Sequence, residues 1–509
     1  MNYSVISLIR LLLLIFPHIA FSMNHDDSLK KARMLFDSGK YQHAGKLLKV
    51  INKKHPEDLN TQWLYAQSAY WSKKFNLSIM LYEDAIVKHP DDHYLLLDYG
   101  IKMVDIGEFE KASPVINRYM AYDNPGADVL IADSKMAYWQ YNYKKAMAGI
   151  DKVLSDHPEN ENAMSLHEEL LIAKSPWIKI SSDITRDDQP LFFLGPSVEA
   201  GFSKRAFLNP SVTFKAPRYF SEGIQYQTYD IQAINKINII KHNTTVLLGA
   251  GVFKLPSNEE SFTGKLKLTK TLFRQFSIEL LAEHKPYLYT KANMTNPIQR
   301  LHYDLSLNWT GKRGWMGRIG HDINYFYSDD NKVYSSSFWV VSSPLKILRT
   351  ESRVGYAYSY SNSEDDRFSP VKTIDQIIAS WHFNLQITGY YNPYFTPKDQ
   401  SINFIIYQFR YNPSPEFETG LKLTYGFLAT TQNPYFFLTN HGSNGLTVQK
   451  DFYEDEYHPY DGTIFIKWRL SRRMSIQSEY ILSNTHFYRS HSGMVSLKVS
   501  IWDERDEKE

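Results

Sequence analysis

The chain has 509 residues, a formal charge of +2, 15% aromatic residues and no cysteine. That near-neutral balance disfavours a nucleic-acid binder, and a mean hydropathy of −0.41 is too low for a bundle of membrane helices. With no cysteine there is no thiolate metal site, no disulfide framework and no lipid anchor on an N-terminal Cys, a composition suited to passage through an oxidising compartment.

The most apolar run is Leu11 to Phe16 behind Arg10, and Ala20-Phe21-Ser22 follows it as a small-x-small pattern. Residues 1–22 therefore read as a secretory signal peptide. The alternative is an anchor helix, for which the run is short of the ~20 residues that a span needs.

From about Ser28 to Pro158 one pattern returns every 34 residues. Ala44, Ser78, Ala112 and Ala146 keep that spacing, as do Pro56, Pro90 and Pro158, with Pro125 one residue late. A second set of small residues, Ala32, Ala66, Gly100 and Ser134, has the same period, and so do the large Leu48, Tyr82, Ile116 and Ile150. The pattern resembles the tetratricopeptide family, whose units are helix hairpins with small residues at the helix crossing and proline after the second helix. The resemblance implies a solenoid over residues 23–174, closed by a helix at 161–174 with Met164, Leu166, Leu170 and Leu171. A concave solenoid surface binds partners rather than performing chemistry.

From about Trp177 the period changes to two. Trp381, Phe383, Leu385 and Ile387 alternate with His382, Asn384, Gln386 and Thr388; Ile464, Ile466 and Trp468 alternate with polar neighbours, as do Val495, Leu497, Val499 and Ile501. Strands of ~10 residues, greasy outside and wet inside, are what a bilayer demands of a closed barrel. The fold class predicted is an α + β multidomain chain: an α-helical tetratricopeptide solenoid followed by an antiparallel transmembrane β-barrel over 175–502. A soluble sandwich would hardly need so many long strands. Tight turns fall at Ser203-Lys204-Arg205, Gly311-Lys312-Arg313-Gly314 and Ser471-Arg472-Arg473, and longer connections at 286–299, 362–374 and 429–460. About 17 strand candidates can be marked, and the forward and backward counts collide between residues 350 and 400. An even number is required, so 16 strands are expected, with 14 and 18 as alternatives. Residues 503–509 form a charged tail beyond Trp502.

No HExxH, GxSxG or Walker sequence occurs, so no enzyme, catalytic residue, cofactor or metal is expected. Asp451, Glu454, Asp455, Glu456 and Asp461 read as a solvated loop. On the alternation, Lys265, Lys267, Asp304, Arg318, Asp322, His382, Asn384, Glu418, Lys422, Lys467 and Arg469 point into the lumen. A lining of mixed sign passes hydrated cargo without trapping it; the alternative is a plug of paired charges that fills the barrel.

A tetratricopeptide solenoid fused to a barrel resembles the outer-membrane exopolysaccharide exporters, such as the outer-membrane subunit of cellulose synthase and the poly-N-acetylglucosamine exporter. Gly389-Tyr390-Tyr391-Asn392-Pro393-Tyr394-Phe395 is similar to the Gly-Tyr-Tyr-Ser-Pro segment of the cellulose exporter, with Asn392 in place of Ser. The resemblance implies an outer-membrane channel whose N-terminal domain lies in the periplasm. Its partners would be membrane lipid, synthase proteins docked on the repeats, and a polysaccharide chain. Tyr390, Tyr391, Tyr394 and Phe395 are the candidates to stack on sugar rings, unless they are girdle aromatics. The surface-lipoprotein assembly modulators share this architecture in a chain of about this size and are the alternative. An adhesin or phage receptor, acting through 429–460, is a third.

Overall fold

A computed structural model describes residues 25–501 apart from 189–190, 222, 274, 291–292, 295–296, 312, 380–386, 441–445 and 487–488. The signal peptide at 1–22, the tail at 503–509, Trp502, His382 and Asn384 lie outside the described residues. The chain divides into two compact units, Met1–His167 and Glu168–Glu509.

In the first unit the repeats are helix hairpins: α1 (His25–Asp37) with α2 (Tyr41–Lys54), α3 (Leu59–Trp71) with α4 (Phe75–Lys88), α5 (His93–Asp105) with α6 (Phe109–Met120), and α7 (Ala127–Trp139) with α8 (Tyr143–Asp156). The small positions are where helices cross. Ala32, Ala66, Ala44, Ser78, Ala112 and Ala146 are fully buried, and a Cβ on Gly100 would sit 2.7 Å from Val115. Ser78 is tolerated there because its hydroxyl donates to the Ala66 carbonyl at 2.9 Å. Asp58 and Asp92, again 34 apart, cap α3 and α5 by accepting the N–H of Thr61 and Leu95. Successive first helices are tied by polar links. Asp98 on α5 accepts from Trp63 at 2.6 Å, Gln67 at 2.9 Å and Tyr82 at 2.6 Å, and Asp105 from Tyr70 and Lys135. Burial, reinforced by Asp98, holds the Tyr82 phenol well above its usual pKa, so it remains a neutral donor. Helix α9 (Glu161–Lys174) runs across the division between the units; Leu166, Leu170 and Leu171 are buried and Met164 is exposed.

The second unit is a closed barrel of 16 antiparallel strands: β1 (Trp177–Asp187), β2 (Phe192–Gly201), β3 (Pro210–Lys215 with Arg218–Ser221), β4 (Ile224–Gln227 with Tyr229–Ile239), β5 (Thr244–Lys254), β6 (Glu260–Phe273), β7 (Phe276–Tyr287), β8 (Ile298–Thr310), β9 (Met316–Phe326), β10 (Asn331–Val341 with Leu345–Ile347), β11 (Thr350–Ser363), β12 (Gln400–Ser414), β13 (Phe417–Asn440), β14 (Leu446–Tyr457 with Tyr460–Arg469), β15 (Met474–Asn484) and β16 (Arg489–Ser500). Each strand pairs with its neighbours in sequence, and β1 closes on β16 from Trp177↔Ser500 to Asp187↔Ser490. Ile180, Val198, Leu248, Leu266, Leu305, Ile319, Val354, Ile405, Leu423, Ile464 and Val495 form an exposed apolar belt. Exposed aromatics flank it, among them Trp315, Tyr411 and Trp468 towards the rim where β1 begins and Tyr303, Tyr327, Tyr358 and Tyr425 towards the other. This is a transmembrane barrel of the outer-membrane type. No described helix is long and apolar enough to cross a membrane.

At the near rim, where β1 begins, connections range from two residues at 415–416 to eight at 202–209, and the three predicted tight turns all fall there. The far rim carries the long 364–399 connection. β11 pairs directly with β12 from Thr350↔Tyr411 to Ser361↔Gln400, which brings the count to the expected 16; residues 380–386, with the lumen candidates His382 and Asn384, lie outside the described residues. One expectation changes. Residues 429–460 are not a loop: Ala429 to Asn440 pairs with Leu446 to Tyr457 as a hairpin that extends β13 and β14 beyond the body of the sheet.

A cysteine pair at Ala357 and Phe404, register partners on β11 and β12, is expected to cross-link under mild oxidation in this cysteine-free chain. The product is read as altered mobility of the unfolded protein on a non-reducing gel. A strand inserted between β11 and β12 would leave the pair unjoined.

Candidate functional site: the lumen and its far mouth

Because strand side chains alternate, the exposed apolar belt places Lys265, Lys267, Asp304, Arg318 and Asp322 on the lumen side, as expected. There they pair. Glu283 lies 3.2 Å from Lys265 and 2.8 Å from Lys285, and Glu279 lies 2.9 Å from Lys267. Arg318 donates to both oxygens of Asp304 at 2.9 and 3.0 Å, and His302 contacts Asp322. This wall, β6 to β9, is neutral in sum over these groups but dense in donors and acceptors. Hydroxyl pairs also line the lumen: Ser181 with Ser197 at 2.7 Å, Ser335 with Ser361 at 2.7 Å, and Thr185 with Ser492 at 3.0 Å, each pair spanning adjacent strands. Glu418, Lys422, Lys467 and Arg469 stand apart from this wall on the inward positions of β13 and β14.

The far mouth is crossed by the connection between β11 and β12. Within it Phe368–Pro370 pairs with Gly389–Tyr391 as a short ribbon, and Ile374–Ala379 forms a helix, α10. One side of the connection is fastened to the β7–β10 wall. Tyr394 is fully buried and stacks on Phe326 with ring centroids 3.5 Å apart, and Ile298, Tyr287 and Val333 pack around it. Its hydroxyl donates to Asp329 Oδ2 at 2.7 Å, and Arg367 Nε donates to the same oxygen at 2.7 Å. Asn331 exchanges two hydrogen bonds with the backbone of Asp365, while Thr290 and Asn293 both donate to the Pro393 carbonyl. The other side is fastened to the β13–β14 hairpin. There Phe368 stacks on Phe436, Lys450 meets Asp366 and the Phe368 carbonyl, and Lys398 lies 3.5 Å from the centre of the Phe452 ring.

The four aromatic candidates thus have different fates. Tyr394 is a rivet, enclosed by wall residues and closed to cargo. Tyr391 packs edge-on against Phe368 and Phe395, and Tyr390 stands exposed at 45%. Burial, with the Asp329 carboxylate beside it, raises the Tyr394 phenol above its ordinary pKa and keeps it a donor. Burial likewise raises Tyr391, with Asp366 adding to it. Sequence reasoning missed Asp329, Asn331, Phe326, Arg367, Phe436 and Lys450. Ser328-Asp329-Asp330-Asn331 has the composition of an ordinary turn, and only long-range packing makes Asp329 a hub. Among the described residues no group of three or more His, Asp or Glu side chains is placed to hold a metal ion.

Asp329→Ala removes the acceptor of two charge-assisted hydrogen bonds, each worth about 1.5–3 kcal/mol. The 364–399 connection is then expected to become susceptible to added protease in the purified protein in detergent micelles, with Asp329→Asn intermediate. Protection equal to that of the unaltered protein would contradict the tether.

No family model and no curated protein sequence matches the chain. Among solved structures, the chain is similar to one described as a bacterial polysaccharide outer membrane secretin, at 8% identity and a TM-score of 0.46, over 65% of this chain and 99% of that one. A tetratricopeptide repeat protein from Parabacteroides merdae aligns at 12% identity and a TM-score of 0.28, over 30% of this chain and 60% of that one. CdiB from Acinetobacter baumannii aligns at 8% identity and a TM-score of 0.36, over 64% of this chain and 60% of that one. The fold stated above rests on the helix hairpins and the strand pairing themselves.

Proposed function

We propose that this protein is an outer-membrane channel that conducts an exopolysaccharide outward, with the helical repeats acting in the periplasm as a docking scaffold for proteins of the synthetic machinery. The observation that carries this reading is the lumen. A barrel of 16 strands is wide enough for an aqueous channel, and this one is lined by paired charges and hydroxyl pairs. A polyhydroxylated chain can exchange hydrogen bonds with such a wall step by step, each too weak to hold it. Conduction is passive, driven by chain extension behind it. At the far mouth Tyr390 offers an exposed ring face to a sugar.

A second reading keeps the same barrel. A helical unit of four hairpins is short and also suits a scaffold that hands over a protein client, as in a surface-lipoprotein assembly modulator. The adhesin or phage-receptor reading would place the function on the protruding β13–β14 hairpin.

Tyr390→Ala is expected to leave the barrel folded and heat-modifiable on gels while lowering surface polysaccharide roughly 2- to 10-fold, the factor that ~0.5–1.4 kcal/mol of lost stacking gives. Unchanged export would remove Tyr390 from the polymer path.

A further inference from the structure

The charges of the lumen are not balanced everywhere. On the β6–β9 wall each of Lys265, Lys267, Lys285 and Arg318 has a carboxylate within 3.2 Å. At the near rim of β11 to β14 the arrangement differs. Arg410, Lys422, Lys467 and Arg469 occupy inward positions around one acid, Glu418, whose Oε1 is shared between Lys467 at 3.3 Å and Arg410 at 3.7 Å. Arg353 on the neighbouring strand gives its guanidinium to two carbonyls, of Gly314 at 2.6 Å and Ser342 at 3.2 Å. Those carbonyls take the N–H groups of one terminal nitrogen and leave its charge, which it shares with Arg410 towards Glu351. The remaining acids reduce the surplus without cancelling it: Glu351 is held by Lys346 at 2.7 Å and lies opposite Arg410, Glu416 in the turn faces Arg469, Glu479 stands on β15 opposite Phe465, and Asp461 lies farther along β14 beside Thr424 and Ser483. All four of Arg410, Lys422, Lys467 and Arg469 are exposed, and their side of the strand is the lumen.

We infer that this face is an anion-binding step inside the near rim, and that the polymer the channel takes is an acidic polysaccharide, carrying carboxylates or other anionic substituents along its chain. The inference rests on the channel reading. Low-dielectric walls focus the field of a cation cluster only partly compensated by acids and raise the local concentration of oppositely charged solute. Four cations spread over three strands can be met in turn by charges that recur along a chain, whereas one small anion meets only one or two of them. Glu418 keeps the attraction modest, so that a chain drawn in at this rim can move on to the ion-paired β6–β9 wall.

The test uses the full-length protein purified in detergent micelles and titrated calorimetrically with a decameric oligogalacturonate, a neutral maltodextrin of equal length, and inorganic phosphate. The acidic oligomer is expected to bind and to weaken roughly tenfold as salt rises and screens the charges, while maltodextrin gives no signal. The double variant Lys467→Gln, Arg469→Gln is expected to lose about tenfold in affinity, and Lys270→Gln on the outward face of β6 to leave it unchanged. Equal binding of the two oligomers, or indifference to the double variant, would overturn the site. Displacement of the oligomer by phosphate at equal total charge would assign the site to free anions and overturn the polymer class. A deletion strain that keeps its surface polysaccharide would refute the channel reading while leaving the binding result intact. A deletion strain that loses a polysaccharide shown by composition to be uncharged would refute the acidic class while leaving the channel.

Discussion

Inside a bilayer, a backbone N–H or C=O without a partner costs several kcal/mol, and the rest of this structure depends on how that cost is avoided. Every strand from β1 to β16 is paired on both sides, and the sheet has no edge because Trp177–Asp187 lies along Ser490–Ser500. Closure then dictates the side chains. One face of each strand must suit lipid, so the other becomes the lumen, and a register slip of one residue would exchange the two. Lys265 and Glu283 meet because register places them opposite each other on β6 and β7, and the serine pairs arise in the same way. Only the connections escape this constraint. Those at the near rim stay short, and the far rim is where the chain inserts the 364–399 segment.

The mouth and the lumen form a sequence of environments along the barrel axis. Near the β1 rim, β11 to β14 carry a surplus of positive charge; along β6 to β9 the wall carries ion pairs; at the far end, the lining gives way to packed aromatic rings and a chain segment tied to both sides. Tyr394 and Asp329 make one side of that segment part of the wall. On the other side, exposed Lys450 and the stacked pair Phe368 and Phe436 connect it to a hairpin that stands clear of the sheet.

Much of this could be read from the residues alone, for identifiable reasons. The period of 34 found the helix hairpins because close crossings admit only small side chains, and Ala32, Ala66, Gly100 and Ser134 recur for that reason. The turns inside the hairpins share the period in a form that composition hides. Gly39, Lys73, Gly107 and Tyr141 all take positive φ, and at two of the four a residue poorly suited to it stands where glycine would be expected. Alternation found the barrel but marked about 17 candidates for the 16 strands that the even-number rule required, since a period of two reports a two-faced environment without saying that the second face is lipid. Direct pairing of β11 with β12 sets the number at 16, which no local signal could have done. The polar, turn-rich composition of 429–460 suggested a loop because this hairpin extends past the sheet body, where the rule of one greasy and one wet face lapses. Asp329 was invisible because its partners, Tyr394 and Arg367, are distant in sequence.

Deletion of the gene, followed by parallel assays of cell-surface polysaccharide and of surface-exposed lipoproteins on intact cells, tests the channel most directly. Loss of polysaccharide with lipoprotein display unchanged is the expected result, and restoration by the full-length chain but not by the barrel unit alone would place the docking role on the helical repeats. Polysaccharide retained at its normal level, with lipoproteins missing from the surface, would contradict export and assign the barrel to a protein client.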